Sequence, residues 1–242
     1  MPLAAVTYDC WSTLLRDYDE AAARAYRSAA LATELGLSDD EAAELLTRAW
    51  HEHDRAWRQQ MSFGAGRIAE WCLEQSGVRD PVVVARLTKT FEETTHEVGV
   101  AAVDGSVETL SALRATGVRT ALVCDTGFTP GRVLRRLLDR VGLLDLLEAF
   151  AFSDEVGVPK PSPRMFAAAL EALGARPDDA VHVGDLRRTD VAGAQAFGMR
   201  AARFTGVHDD ESDGPTGDWV IASHPELLEH LGIPAFPASG AG

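Results

Sequence analysis

Leu3-Ala-Ala-Val-Thr-Tyr-Asp-Cys-Trp-Ser-Thr-Leu-Leu15 is the stretch from which the fold of this chain is read. Its first half is an apolar, β-branched run that reads as a strand. The run stops abruptly on Asp9, and polar residues follow at once. In an open α/β sheet, ligands bind outside the carboxyl ends of the strands. A carboxylate delivered there by a central strand can serve as nucleophile or metal ligand. A strand-terminal Asp is also an ordinary turn residue, so this stretch alone leaves both readings open.

Beyond Leu15 the pattern changes. From about Tyr18 to Val98 the sequence shows helical periodicity and no convincing strand. Ala21, Ala25, Ala29 and Ala32 or Leu35 form one apolar face that Gly36 ends. Ser38-Asp-Asp-Glu41 is a capping box opening a second helix, with Leu45, Leu46, Ala49 and Trp50 on its inner side. A third helix is expected from about Arg67 to Gln75, and Pro81 starts a fourth with Val84, Leu87, Thr88 and Phe91 spaced for burial. Strands and helices then alternate. Strands are expected at Arg119–Cys124, Phe150–Ser153, Ala180–Gly184, Ala201–Thr205 and Trp219–Ala222. Thr129-Pro130 reads as a helix N-cap followed by Pro at the first helical position. Such alternation means a parallel sheet with right-handed crossovers. The fold class is therefore α/β: a Rossmann-like parallel sheet core, residues 1–15 and 101–233, with an inserted all-helical cap, residues 16–100, and a loosely ordered tail, 234–242.

Four strand ends carry notable groups. Asp9 follows the first, Cys124-Asp125-Thr126 the second, Lys160 lies after the third, and Gly184-Asp185 with Asp190 follows the fourth. A parallel sheet gathers these ends on one edge. Carboxylates brought together repel one another, and a hard divalent cation with oxygen ligands relieves the repulsion. Lys89 and Lys160 are the only lysines among many arginines. A lysine kept in such a chain hints at a role that a guanidinium cannot fill.

On these residues the chain resembles the haloacid dehalogenase superfamily, in the branch that carries a helical cap after the first motif. Asp9 with Thr13-Leu14 matches the nucleophile loop, and Val123-Cys-Asp-Thr-Gly127 occupies the place of the second motif. Lys160-Pro161 matches the third, and Val183-Gly-Asp185 with Asp190 and Val191-Ala-Gly-Ala-Gln-Ala-Phe-Gly-Met199 the fourth. The resemblance covers about Val6 to Phe204. It implies a mechanism in which Asp9 attacks a phosphoryl group and forms an aspartyl-phosphate, splitting one displacement into two steps. It implies Mg²⁺ on Asp9, the backbone carbonyl of Trp11 and Asp185, with Asp190 acting directly or through water. Lys160 would balance charge in the transition state.

Two positions depart from the family pattern. Phosphatases of the family place a second Asp two residues after the nucleophile, as the general acid and base. Here that position is Trp11. An indole can do neither job, and losing such help costs roughly 10²–10⁴ in rate. Dehalogenase members also lack that Asp. Cys124 stands where the family uses Ser or Thr to bind phosphate, and a thiol is a weaker donor. Thr126 or backbone amides would substitute, while Asp125 adds negative charge beside a phosphate. Substrate choice falls to the cap, where His51, His53, Arg55, Trp57, Arg58, Phe63 and Arg67 offer an anion-binding, aromatic-lined surface, with Arg67 the first choice. His208, His224 and His230 have no ligand-like spacing and read as surface residues, and Arg187 and Arg188 as exposed neighbours of the metal loop.

Composition narrows the classes. A net charge of −14 argues against nucleic acid, whose affinity comes from phosphate neutralisation by Lys and Arg. No apolar run is long enough to span a membrane, and no basic segment precedes an apolar one at the N-terminus. Three scattered cysteines, Cys10, Cys72 and Cys124, suit reduced thiols in the cytosol. The leading expectation is an Mg²⁺-dependent phosphatase of a small phosphorylated metabolite. The alternatives are a 2-haloacid dehalogenase working through an aspartyl ester, and a non-catalytic protein that binds a ligand or partner.

Overall fold

The structure is a computed structural model that describes residues 3–17 and 19–234. Strand β1, Ala5–Tyr8, is buried along its whole length and pairs in parallel on both sides, with β4, Arg119–Cys124, and β6, Ala180–Gly184. The remaining sheet strands are β5, Ala149–Phe152, β7, Arg200–Phe204, and β8, Trp219–Ile221. The order across this six-stranded sheet is β5-β4-β1-β6-β7-β8, and every pairing is parallel. The sheet is that of a Rossmann-like α/β core.

Side chains alternate across the sheet with the strand period of two. Val6, Tyr8, Leu122, Cys124, Val181 and Val183 face one side. They pack on α5, Ser106–Ala115, α6, Gly131–Arg140, and α10, His224–Leu231, through Leu113, Leu134, Leu137 and Leu228. Ala5, Ala121, Val123 and Ala151 face the other side, small enough to admit Met165, Phe166 and Leu170 of α8, Pro163–Leu173. Two short helices, α7, Ser153–Val156, and α9, Ala192–Ala196, complete this layer arrangement.

Between β2, Leu15–Asp17, and β3, Val100–Ala102, four helices form the cap: α1, Glu20–Leu35, α2, Asp39–Arg58, α3, Ala65–Gln75, and α4, Pro81–Val98. They bury their own apolar cluster, including Leu31, Leu45, Leu46, Ile68, Leu73, Leu87 and Phe91. The capping box is made: the Ser38 hydroxyl accepts from the backbone of Glu41, whose carboxylate accepts from the backbone of Ser38. Gly36 ends α1 at φ 65°, a left-handed conformation that suits glycine.

Several expectations shift. The antiparallel pair β2–β3 ties the two ends of the cap insertion together; each strand is three residues long and carries too little periodicity to be read. Helix α10 was not foreseen. Thr129 does not cap α6; its hydroxyl pairs with Thr95 at 2.9 Å and the helix opens after Pro130. Trp50 is not in the cap's interior: it is 42% exposed and stacks at 5.0 Å on Phe128 of the core. His224 is fully buried rather than on the surface, stacked on Phe204 at 4.7 Å, and its Nε2 donates to the carbonyl of Thr13. Of the expected tail, residues 235–242 lie outside the described residues.

Candidate active site

The register of the sheet places the acidic residues. Tyr8 lies opposite Leu122 of β4 and Val183 of β6, so Asp9, Asp185 and Asp125 leave three neighbouring strands in staggered succession. The amide of Asp9 donates to Val183 O at 2.8 Å, which pins Asp9 to the end of β6. The chain then turns tightly: the amides of Leu14 and Leu15 both donate to Cys10 O, and Ser12 adopts φ 57°. Positive φ in a non-glycine residue is uncommon and marks a turn held by its surroundings. The carbonyl of Trp11 accepts none of this turn's hydrogen bonds.

Lys160, in the loop between α7 and α8, is 2% exposed. Its Nζ donates to Asp9 Oδ1 at 2.5 Å and to Asp190 Oδ1 at 2.6 Å. Asp190 sits in a π-helical turn, Arg187–Val191, and is held from every side. Its Oδ1 also accepts from His182 Nε2 at 3.0 Å, and its Oδ2 accepts from the amide of Leu186 at 3.1 Å. Gly184 makes this approach possible: a Cβ there would lie 2.4 Å from Asp190 Cγ. Asp185, the remaining member, is joined to His208 Nδ1 at 2.9 Å. One carboxylate oxygen from each of Asp9, Asp185 and Asp190 lies within 4.8 Å of the others, and all three residues are buried.

Electrostatics follow from this crowding. Burial pushes the Asp9 carboxyl well above the ordinary carboxylate range, against the pull of Lys160. Burial, then repulsion from Asp190, pushes Asp185 up to about 7. Burial acts on Asp190 in the same sense, but Lys160 and His182 outweigh it and hold Asp190 below the ordinary range. Burial disfavours the Lys160 ammonium, yet Asp190, Asp9 and Asp125 hold its pKa above the ordinary value. One ammonium thus faces more carboxylate charge than it neutralises, and the three oxygens fit a small hard cation in donor type, burial and separation.

The structure brings Asp9, Lys160, Asp185 and Asp190 together, with Asp125 beside them on the Lys160 amide. Cys124 is buried in the core, its thiol directed at the carbonyl of Asp125, 3.5 Å away. It belongs to the apolar cluster on one side of the sheet. Asp125 accepts from the amide of Lys160 at 2.8 Å and from Trp57 Nε1 of α2 at 2.7 Å. It braces cap against core, with both oxygens engaged. Thr126 bonds Ser153 through its amide and hydroxyl, at 2.8 and 2.9 Å. Arg67 is tied to Glu70 and Glu74. It shares with Thr126, Gly64, Gly127 and Asp154 a cleft of about 250 Å³ that does not include Asp9. Trp11 packs half-buried against the core.

One residue near the cluster, His182, escaped sequence reasoning, and another, Arg188, was read as exposed. His182 is fully buried beneath Asp190, and burial holds its pKa below the ordinary imidazole value. With Asp190 ionised, Nε2–H donates to it and Nδ1 accepts from the Thr7 hydroxyl at 2.8 Å. A histidine inside the otherwise apolar run Ala180–Gly184 was the available signal. Arg188 is not simply exposed: its guanidinium lies 4.1 Å from the Trp57 ring centroid.

A family model described as a haloacid dehalogenase-like hydrolase matches residues 3–198. The chain belongs to the haloacid dehalogenase-like hydrolases. Members of this family are hydrolases, and membership favours the enzymatic readings over the non-catalytic one. Glyceraldehyde 3-phosphate phosphatase from Pyrococcus furiosus is 35% identical over 53% of this chain and 54% of its own length, so the chain spans about half of that relative. A haloacid dehalogenase-like phosphatase structure from Thermococcus onnurineus superposes with a TM-score of 0.71 at 25% identity, covering 96% of this chain and 100% of that one. The 2-haloacid dehalogenase of Pseudomonas syringae pv. Tomato superposes at 0.67 and 26% identity, covering 95% and 98%. Among the described residues, no helix is long and apolar enough to cross a membrane.

Proposed function

We propose that this hydrolase is a phosphatase of small phosphorylated metabolites that works through a phosphorylated Asp9 and requires Mg²⁺. The observation that carries the reading is the trio of buried carboxylates, Asp9, Asp185 and Asp190, with oxygens within 4.8 Å of one another. Displacement of a halide by a carboxylate needs no cation at the nucleophile, so such a cluster has a use in phosphoryl chemistry that it lacks in dehalogenation. The phosphatase names of the Pyrococcus and Thermococcus relatives point the same way.

Asp9, Asp185 and the Trp11 carbonyl would hold the ion, with Asp190 beside it. When bound, Mg²⁺ would supply charge neutralisation at the transferring phosphoryl group. The chain's own residues do the rest. Asp9 Oδ2 accepts no hydrogen bond among the described residues, so it presents a lone pair for attack on phosphorus while Oδ1 is held by Lys160. The P–O bond to the leaving alcohol breaks, and the aspartyl-phosphate is then hydrolysed by water at phosphorus, returning Asp9 and releasing phosphate. Lys160 offsets the charge that accumulates on the transferred oxygens. Asp190, anchored by His182 and Leu186 N, fixes the position of Lys160. With Trp11 in place of a carboxylic acid, leaving groups that depart without protonation are the best substrates. Three buried free thiols suit a cytoplasmic setting.

Trp11 also supports a second reading, dehalogenation of a 2-haloacid through an ester on Asp9. The experiment that separates the two is turnover of p-nitrophenyl phosphate and acetyl phosphate with Mg²⁺, with EDTA, and in Asp9→Asn. Activity lost in both controls is expected. Absence of phosphate release, with halide release from 2-chloropropionate that EDTA leaves intact, would overturn the phosphatase reading.

A further inference from the structure

Of the cations near the carboxylate cluster, Lys160 is bonded to Asp9 and Asp190, and Arg58 to Asp54. Arg187 is anchored: its amide donates to Asp210 Oδ2 at 2.7 Å, its Nε to Asp210 O at 2.8 Å and its Nη1 to Gly214 O at 3.3 Å. Its neighbour Arg188 differs. Among the described residues it makes no salt bridge, and its Nη2 is buried without a hydrogen-bond partner. A buried, unsatisfied guanidinium N–H is costly, and one beside an active site asks for an explanation.

We infer that Arg188 receives a second anionic group of the substrate, a carboxylate or a further phosphate, beside the phosphoryl group attacked by Asp9. The inference rests on the phosphatase reading and adds a substrate class to it. Position supports it first. Arg188 lies in the same π-helical turn as Asp190, and its guanidinium covers the Trp57 ring at 4.1 Å. That ring is hydrogen-bonded to Asp125, which also holds the amide of Lys160. The guanidinium therefore sits at the seam of cap and core, over the strand ends that carry the cluster.

Geometry supports it second. Stacking on an indole uses the face of the guanidinium and leaves the N–H donors at its edge, in the plane where carboxylate and phosphate oxygens bind in a two-pronged manner. Trp57 orients the fork and the unpaired Nη2 is one of its prongs. An arriving anion supplies what is missing. Because Trp57 belongs to α2, this contact is complete only when the cap rests on the core.

The test is calorimetric binding of three non-hydrolysable probes to the full chain with Mg²⁺. Methylphosphonate carries one anionic group, phosphonoacetate adds a carboxylate, and methylenediphosphonate adds a phosphonate. Wild type is expected to bind one of the latter two about tenfold or more tightly than methylphosphonate, and the tighter probe identifies the second group. In Arg188→Ala that preference should fall to within about twofold, and Arg188→Lys, which keeps the charge without the fork, should retain part of it. No preference in wild type, or a preference that survives in Arg188→Ala of unchanged thermal stability, overturns the assignment. Should Arg188→Ala fail to fold, Arg188→Lys keeps the test: a preference equal to wild type overturns it. Turnover of p-nitrophenyl phosphate with equal affinity for all probes rejects Arg188 alone. No turnover and no binding of any probe reject the phosphatase reading, and this inference with it.

Discussion

The strand ends and the cap rim meet across one seam, yet their charges are organised on opposite terms. At the strand ends, Asp9, Lys160 and Asp190 are buried and bonded to one another, and His182 and Leu186 N secure Asp190 from below. On the cap, Arg55–Glu52, Arg58–Asp54 and Arg67–Glu74 are solvent-exposed pairs within single helices. The first arrangement cannot lose a member without stranding a buried charge; the second loses little when a partner is removed. The core charges are thus fixed by burial and mutual bonding, while the exposed cap pairs are not.

The comparison predicts a graded series of effects. Asp9→Asn should reduce phosphate release by at least about 10³-fold while leaving the fold intact, because it removes the nucleophile and keeps the shape. Circular dichroism alongside steady-state kinetics would check this. Lys160→Met should abolish turnover and also destabilise the protein by about 3–5 kcal/mol, since it leaves Asp9 and Asp190 buried without a counter-charge. Denaturant unfolding would measure it, and a loss under about 1 kcal/mol would break the contrast with the cap.

Metal linkage comes next. Asp185 is held at about 7, above the ordinary carboxylate value of 3.8, and burial moves Asp9 the same way. Between those values the folded protein keeps a proton that the unfolded chain gives up. Stability of the metal-free protein therefore falls as pH rises from about 4 through about 7. Asp190, held low, works in the opposite sense and loses its contribution only in acid. A divalent cation needs the ionised carboxylates, so Mg²⁺ should raise the melting temperature by several degrees at pH 8 and by much less at pH 5. Thermal unfolding with Mg²⁺ against EDTA decides this, and an equal gain at both pH values would contradict it.

Across the seam, Trp57→Phe removes one hydrogen bond to Asp125 and keeps an aromatic face beneath Arg188. A bond to a charged acceptor is worth about 1.5–3 kcal/mol, and its loss should appear as a KM raised about tenfold with a smaller change in kcat. Last, Arg67→Gln should alter stability by less than about 1 kcal/mol, because its bonds to Glu70 and Glu74 are exposed.

The same contrast decides what was legible in the sequence. Asp9, Lys160, Asp185 and Asp190 each follow a strand at short range, so strand pattern and residue type located them, and parallel pairing brought them together. The Gly184-Asp185 pair was readable from its place at a strand end and the motif it matches, and the structure adds that a Cβ at Gly184 would collide with Asp190. Contacts across the seam were not readable. Asp125 and Trp57 stand far apart in the chain, and nothing local announces that Asp125 serves the cap rather than a substrate. Cys124 was ambiguous for a related reason: its strand position fixed where it lies, while the face it turns to depends on packing by α5 and α6. Arg187 and Arg188 are adjacent and chemically identical. Asp210 and Gly214, approaching from a later loop, anchor the first, while the second lies over Trp57 of the cap.

The account's central claim is a covalent phosphoryl group on Asp9. The most direct measurement is rapid acid quench of the enzyme during turnover of acetyl phosphate with Mg²⁺, followed by peptide mass spectrometry. The account predicts a peptide spanning Asp9 that is heavier by one phosphoryl group, labelled with kinetic competence and absent in Asp9→Asn. Undiminished turnover in Asp9→Asn, with the phosphoryl group on another residue or on none, would contradict it.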